Sequence, residues 1–259
     1  MRYLTRAAIA ASFFVTLLSA ASIPDAIVQK LHSADWDVRE EGVANLTSQP
    51  NWEKDPTIVK ALTDLLNREN EVVNAAFRAG TGVSEGYADP YYSTLLGDVE
   101  KGYFALKDQD ALNALIRSSY NGDSPFAGNL AAQGDRAIPE LLKFSRSDLL
   151  PGREEAIAVL GRMLALEKSG SIAISESNHS AARAALIKAT KAPDFSVRIE
   201  GVHQLGNLGN RSDIPLLTEI EANDPMTRTE GAVGFPVREA ARDAIDAIVH
   251  GPAPKMPTK

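Results

Sequence analysis

The chain has 259 residues, 34 acidic against 27 basic side chains for a formal net charge of −7, and no cysteine. It is 44% hydrophobic but only 6% aromatic, and its wealth of alanine and leucine with few β-branched runs favours helix over strand. These totals exclude disulfides, thiolate metal sites, cysteine nucleophiles, thioether-linked chromophores and a lipobox anchor. They also argue against nucleic acid as a partner, because phosphate backbones need clustered Lys and Arg.

Residues 1–21 read as a secretory signal. Arg2 and Arg6 precede an apolar run from Ala7 to Leu18, and small residues around Ala21 offer a cleavage site. The run is shorter than the roughly 20 residues of a comfortable membrane span, and no later segment is apolar enough to cross a bilayer. The expectation is an exported protein, periplasmic or secreted, with no stable membrane anchor after cleavage. Loss of Arg2 and Arg6 would take the net charge from −7 to −9.

Three later stretches repeat one another. Trp36-Asp37-Val38-Arg39, Phe195-Ser196-Val197-Arg198 and Phe235-Pro236-Val237-Arg238 each place an aromatic two residues before a Val-Arg pair. A large aliphatic follows eight after the Val, at Leu46, Leu205 and Ile245. Val38, Val197 and Val237 are separated by 159 and 40 residues, so the longer gap is close to four periods. A fixed period of this size marks stacked supersecondary units.

The unit is best read between Asp194 and Ile220. Asp194 or Ser196 can cap a helix that puts Val197, Gly201, Leu205 and Leu208 on one face, and Gly209-Asn210 can end it. Ser212 or Asp213 can cap a second helix with Pro215 in its first turn and Leu217 and Ile220 on its buried stripe. Neither helix can bury its apolar face alone, so the unit needs neighbours.

In chain order, the spacing predicts helix pairs near 35–47 with 56–67, 124–134 with 136–145, 151–165 with 177–191, and 195–208 with 212–222. A terminal helix is expected near 235–249. Helical pieces near 70–79, 92–105 and 108–119 fall in a segment, about 70–120, that departs from the repeat as an irregular insertion. The repeat domain spans 22–250, and the Pro- and Lys-rich tail 251–259 is expected to be disordered.

These openings, with Leu205-Gly206-Asn207-Leu208-Gly209 and Ile214-Pro215-Leu216-Leu217, resemble the HEAT repeat, and more closely the short bacterial variety of phycobilisome lyase-like proteins. The resemblance covers about 35–66 and 124–249. It implies an all-α, α-α superhelix, a solenoid of about five to six helix pairs. It also implies that the Arg after the Val reaches the acidic turn of an adjacent unit, a ladder role for Arg39, Arg198 and Arg238, and for Arg153 in a further copy.

Candidates for chemistry are thin. Gly82-Val83-Ser84-Glu85-Gly86 fits the G-x-S-x-G nucleophile elbow, but that motif needs a preceding strand, and a helix ending at Gly80 is expected there. His32, His179, His203 and His250 are scattered over different units, with no i, i+4 pair for zinc. The sequence therefore points to no metal, no cofactor and no catalytic residue. Tyr87, Tyr91, Tyr92, Tyr103 and Phe104 put five aromatics within 18 residues of a chain otherwise poor in them. They form either a partner-contact surface, since insertions in repeat arrays map to binding faces, or the packing of an irregular helix pair. The loop 223–234 is a second exposed candidate. The expected function is a scaffold or adaptor that binds a protein or peptide partner; the competing class is an enzyme or enzyme subunit, lyase-like or a hydrolase using the 80–104 segment.

Overall fold

The computed structural model describes residues 23–81, 91–118, 124–227 and 234–251, and every regular element within them is helical. The helices are α1 (Asp25–Leu31), α2 (Trp36–Thr47), α3 (Pro56–Ala79), α4 (Ser93–Ala105), α5 (Gln109–Ser118) and α6 (Ser124–Ala131). They continue with α7 (Ile138–Phe144), α8 (Leu150–Lys168), α9 (Glu176–Ala189), α10 (Phe195–Leu208), α11 (Ile214–Asn223) and α12 (Pro236–His250). The leader 1–21, Ser84, Tyr87, the loop residues 228–233 and the tail beyond Gly251 lie outside the described residues.

Local chemistry sets most of the helix ends. Asp35 accepts from the N–H of Asp37 at 3.0 Å ahead of α2, and Asp55 accepts from that of Thr57 at 2.8 Å ahead of α3, the usual work of an acidic cap. Pro56, Pro139, Pro151, Pro215 and Pro236 each stand in the first turn of their helix, where a missing N–H breaks no ladder bond. α3 and α10 stop at Gly80 and Gly209, both at φ 65°, the left-handed turn that costs glycine nothing.

The helices stack in two layers. α2, α4, α6, α8, α10 and α12 follow one another in the first, α3, α5, α7 and α9 in the second, with α1 laid on α2 and α11 against α12. The order is that of an α-α superhelix with five consecutive pairs, from α2–α3 to α10–α11, closed by α12. Val197, Leu205, Leu208, Leu217 and Ile220 are buried as the repeat pattern requires. α10 sits so close to its neighbours that a Cβ on Gly201 would lie 2.9 Å from Ala189 Cβ, and one on Gly206 2.8 Å from Ala244 Cβ.

The described residues within 70–120 form regular helices. Residues 70–79 continue α3, a single helix of 24 residues, and α4 and α5 take ordinary places in the two layers. Where α3 meets this pair, polar residues are buried among the aliphatics. Asn70 accepts from the hydroxyls of Tyr92 and Ser118 and donates to the carbonyl of Ala114 at 3.1 Å. A buried polar group persists when each of its hydrogen-bonding atoms is answered in this way.

The apolar interior falls into two parts. The larger runs from Ile23 to Leu208, and the smaller gathers Val202, Leu217, Ile220, Val237 and Ala241 around α11 and α12. α10 contributes to both.

Candidate functional site

The four ladder arginines are all engaged. Arg39 donates to the carbonyls of Ser33 at 2.8 Å and Ala34 at 3.0 Å, six and five residues before it, and pairs with Glu69 at 2.9 Å. Arg198 repeats the arrangement with the carbonyls of Ala192 and Pro193, at 2.9 and 2.8 Å, and with Asp224 at 2.7 Å. Arg153 reaches Asp194, at the opening of the next unit, at 2.6 Å. Arg238 donates to the backbone carbonyl of Asp224 at 2.7 Å and covers the Phe235 ring at 4.6 Å. Arg39 and Arg198 thus fix the turn before their own helix, and Arg39, Arg153 and Arg198 each bind an acid beyond it.

The same links explain two caps that differ from expectation. Neither Asp194 nor Asp213 makes a side-chain cap bond to its helix. Their carboxylates are taken by Arg153 and Arg183 from the preceding pair, and a charge-assisted bond to Arg outcompetes a backbone cap.

The described members of the aromatic cluster are packed against other helices. Tyr91, Tyr92 and Tyr103 are only 1%, 3% and 1% exposed, and Phe104 is half-buried with its ring 5.6 Å from Phe126 in an edge-on contact. Tyr91 OH accepts from Arg39 Nε at 3.0 Å, and Tyr103 OH accepts from Thr63 Oγ1 at 2.9 Å while donating to the Val59 carbonyl at 3.3 Å. Burial pushes both phenols well above the usual tyrosine range. These rings are the polar-tipped core of the α3–α4–α5 region, where each hydroxyl has a partner.

The surface feature that stands out lies elsewhere. A cleft of about 550 Å³ is bounded by the turn after α7, the first turns of α8, the face of α9 and the start of α10. α7 has only seven residues, whereas α9 has 14, so Ser145 and Arg146 close one end while α9 runs on beside them. The floor is small and apolar, with Ile157, Ala181, Ala184, Ala185 and Val197 among its lining residues. The rim carries Arg146, Arg153, Lys188 and Lys191. Such a combination suits a ligand with an apolar body and negative charge around it.

Two other concavities carry internal ion pairs. In the one between α3 and α5, Lys60 pairs with Asp64 at 2.8 Å and Arg117 with Glu140 at 3.0 Å. In another, His179 Nδ1 lies 2.5 Å from Glu167. Among the described residues, no three His, Asp or Glu side chains are grouped as metal ligands, and no helix is long and apolar enough to cross a membrane. Glu155 on α8 is pushed up to about 7, by burial first and then by Glu200.

Sequence reasoning missed the cleft. Its signal is Ala181-Ala182-Arg183-Ala184-Ala185 followed by Lys188 and Lys191. Alanines in a helix read as propensity, so nothing distinguishes those that pave a surface from those that pack a core.

No protein-family model matches the sequence, and no curated protein matches it. Among solved structures, a computationally designed armadillo repeat protein for modular peptide recognition is similar at 16% identity and TM-score 0.43, covering 85% of this chain and 98% of that one. Another designed armadillo repeat protein matches at 15% identity and TM-score 0.38, covering 86% and 98%. An engineered protein matches at 16% identity and TM-score 0.38, covering 88% and 98%. At such values the likeness adds nothing to the layered packing of the chain itself, which is an all-α helical-repeat stack.

Proposed function

We propose that the protein is a scaffold, not a catalyst: an exported stack of HEAT-like units that holds a protein or peptide segment in the cleft between α7, α8 and α9. Export is inferred from the three-part leader at 1–21, and the HEAT-like, bacterial assignment from the Val-Arg openings and their 40-residue spacing. The observation that carries the binding role is the cleft itself, whose alanine floor leaves room for a side chain to enter and whose rim supplies charge. Repeat stacks present extended surfaces of this kind. A photo-cross-linker placed at Lys188 and activated in the exported fraction should trap a discrete partner, and Ala184→Trp, which fills the floor, should abolish the adduct. Turnover of small esters by the purified chain that is lost in Ser84→Ala would overturn the scaffold role in favour of a hydrolase.

A further inference from the structure

Within that cleft, and resting on the binding role just proposed, the charges point to one class of occupant. Arg153 is committed to Asp194 at 2.6 Å. Lys188 stands in the last turn of α9, where a cation answers the helix's exposed carbonyls. Arg146 and Lys191 follow the C-caps of α7 and α9; both side chains are exposed, and among the described residues neither side chain has an ion-pair or hydrogen-bond partner. A chain with seven more acids than bases has ample means to pair a lysine and an arginine, yet here it leaves them open across an apolar floor.

We infer that the cleft takes an acidic peptide segment, with a small aliphatic side chain seated on the Ala181–Ala184–Ala185 floor and carboxylates on either side meeting Arg146 and Lys191. The floor favours peptide over nucleic acid. It holds no aromatic ring on which a base could stack, and stacking with cationic grooves is what single strands require. The apolar patch supplies the directionless part of the affinity and the two cations the choice of partner.

The test uses the whole chain and two labelled short peptides, one of Leu, Ala and Glu and its counterpart with Gln for Glu. Binding is followed by fluorescence anisotropy. The Glu peptide should bind about tenfold tighter in low salt, and the advantage should shrink as the screening length falls. The double reversal R146E/K191E should remove that tenfold preference while leaving the thermal melt unchanged, since both residues are exposed and unpaired. Equal binding of both peptides, insensitive to the reversal, overturns the acidic specificity and leaves a peptide cleft standing. Failure of both peptides to bind at concentrations up to about 1 mM overturns both. Displacement of the Glu peptide by a smaller amount of oligothymidylate reassigns the cations to phosphate and also overturns the proposal.

Discussion

At the scale of single residues, charge is placed to join helices. Arg39 and Arg198 occupy the same register, clamp carbonyls at the same two offsets and each hold a carboxylate that is almost fully buried. The Val-Arg signature was legible in the sequence for this reason: both residues have one geometric task, repeated. The aromatic before it is less deeply placed, and in the third copy it lies under Arg238. Trp36 and Phe195 are 36% and 40% exposed, so that part of the signature marks the surface opening of a helix and not its core. Glu155 is the residue whose charge sits least comfortably. Its ordinary value is 4.5 and its folded value about 7, so the folded state holds the proton more tightly than the unfolded one. Its contribution is fully favourable below about 4.5 and is lost as pH rises through about 7. Glu155→Gln should therefore be more stable than the parent at pH about 8, by about 2 kcal/mol after allowing for residual solvent access, and indistinguishable near pH 4. Urea midpoints at the two pH values decide it.

At the scale of elements, what could be read in advance depended on what each helix buries. α8, α10 and α12 carry aliphatic stripes at regular spacing, and their bounds fall close to the predicted ones. The long α3 hides its regularity because Glu69, Asn70 and Asn74 lie buried within its stripe, and polar letters at core positions break the pattern on which a sequence reading depends. The tyrosines at and just before α4 allowed two readings for a related reason: their hydroxyls suit an interface, yet Arg39, Thr63 and Asn70 satisfy them inside. The candidate cleft was illegible because it is made by a difference in length, seven residues in α7 beside 14 in α9, and no single stretch encodes that. Small residues at crossings are the opposite case. Gly206→Ala forces a Cβ to within 2.8 Å of Ala244 Cβ and 3.0 Å of its Cα, so α12 must move. The expected cost is about 1–3 kcal/mol, read as a lower denaturation midpoint with an unchanged slope.

For the whole molecule, the division of the apolar interior matters most. Each unit touches chiefly its neighbours, so stability is close to a sum of units and joints. α12 shields the smaller core, and deleting residues 235–259 would bare Val202, Leu217 and Ile220. Hydrogen exchange on that truncated chain should show amides of α10 and α11 losing protection while those of α3, α5 and α8 keep theirs. Uniform loss along the chain would mean that the two cores melt as one.

Arg153 belongs at once to the wall of the cleft and to the joint with Asp194. If the proposed occupant presses on that wall it bears on the joint, and by reciprocity a load on the joint would alter the grip on the occupant. In a stack of rigid pairs, a small angular change at one hinge becomes a large displacement at the far end, as with a lever. The cleft is thus placed where the proposed occupant would lie against a joint between two units.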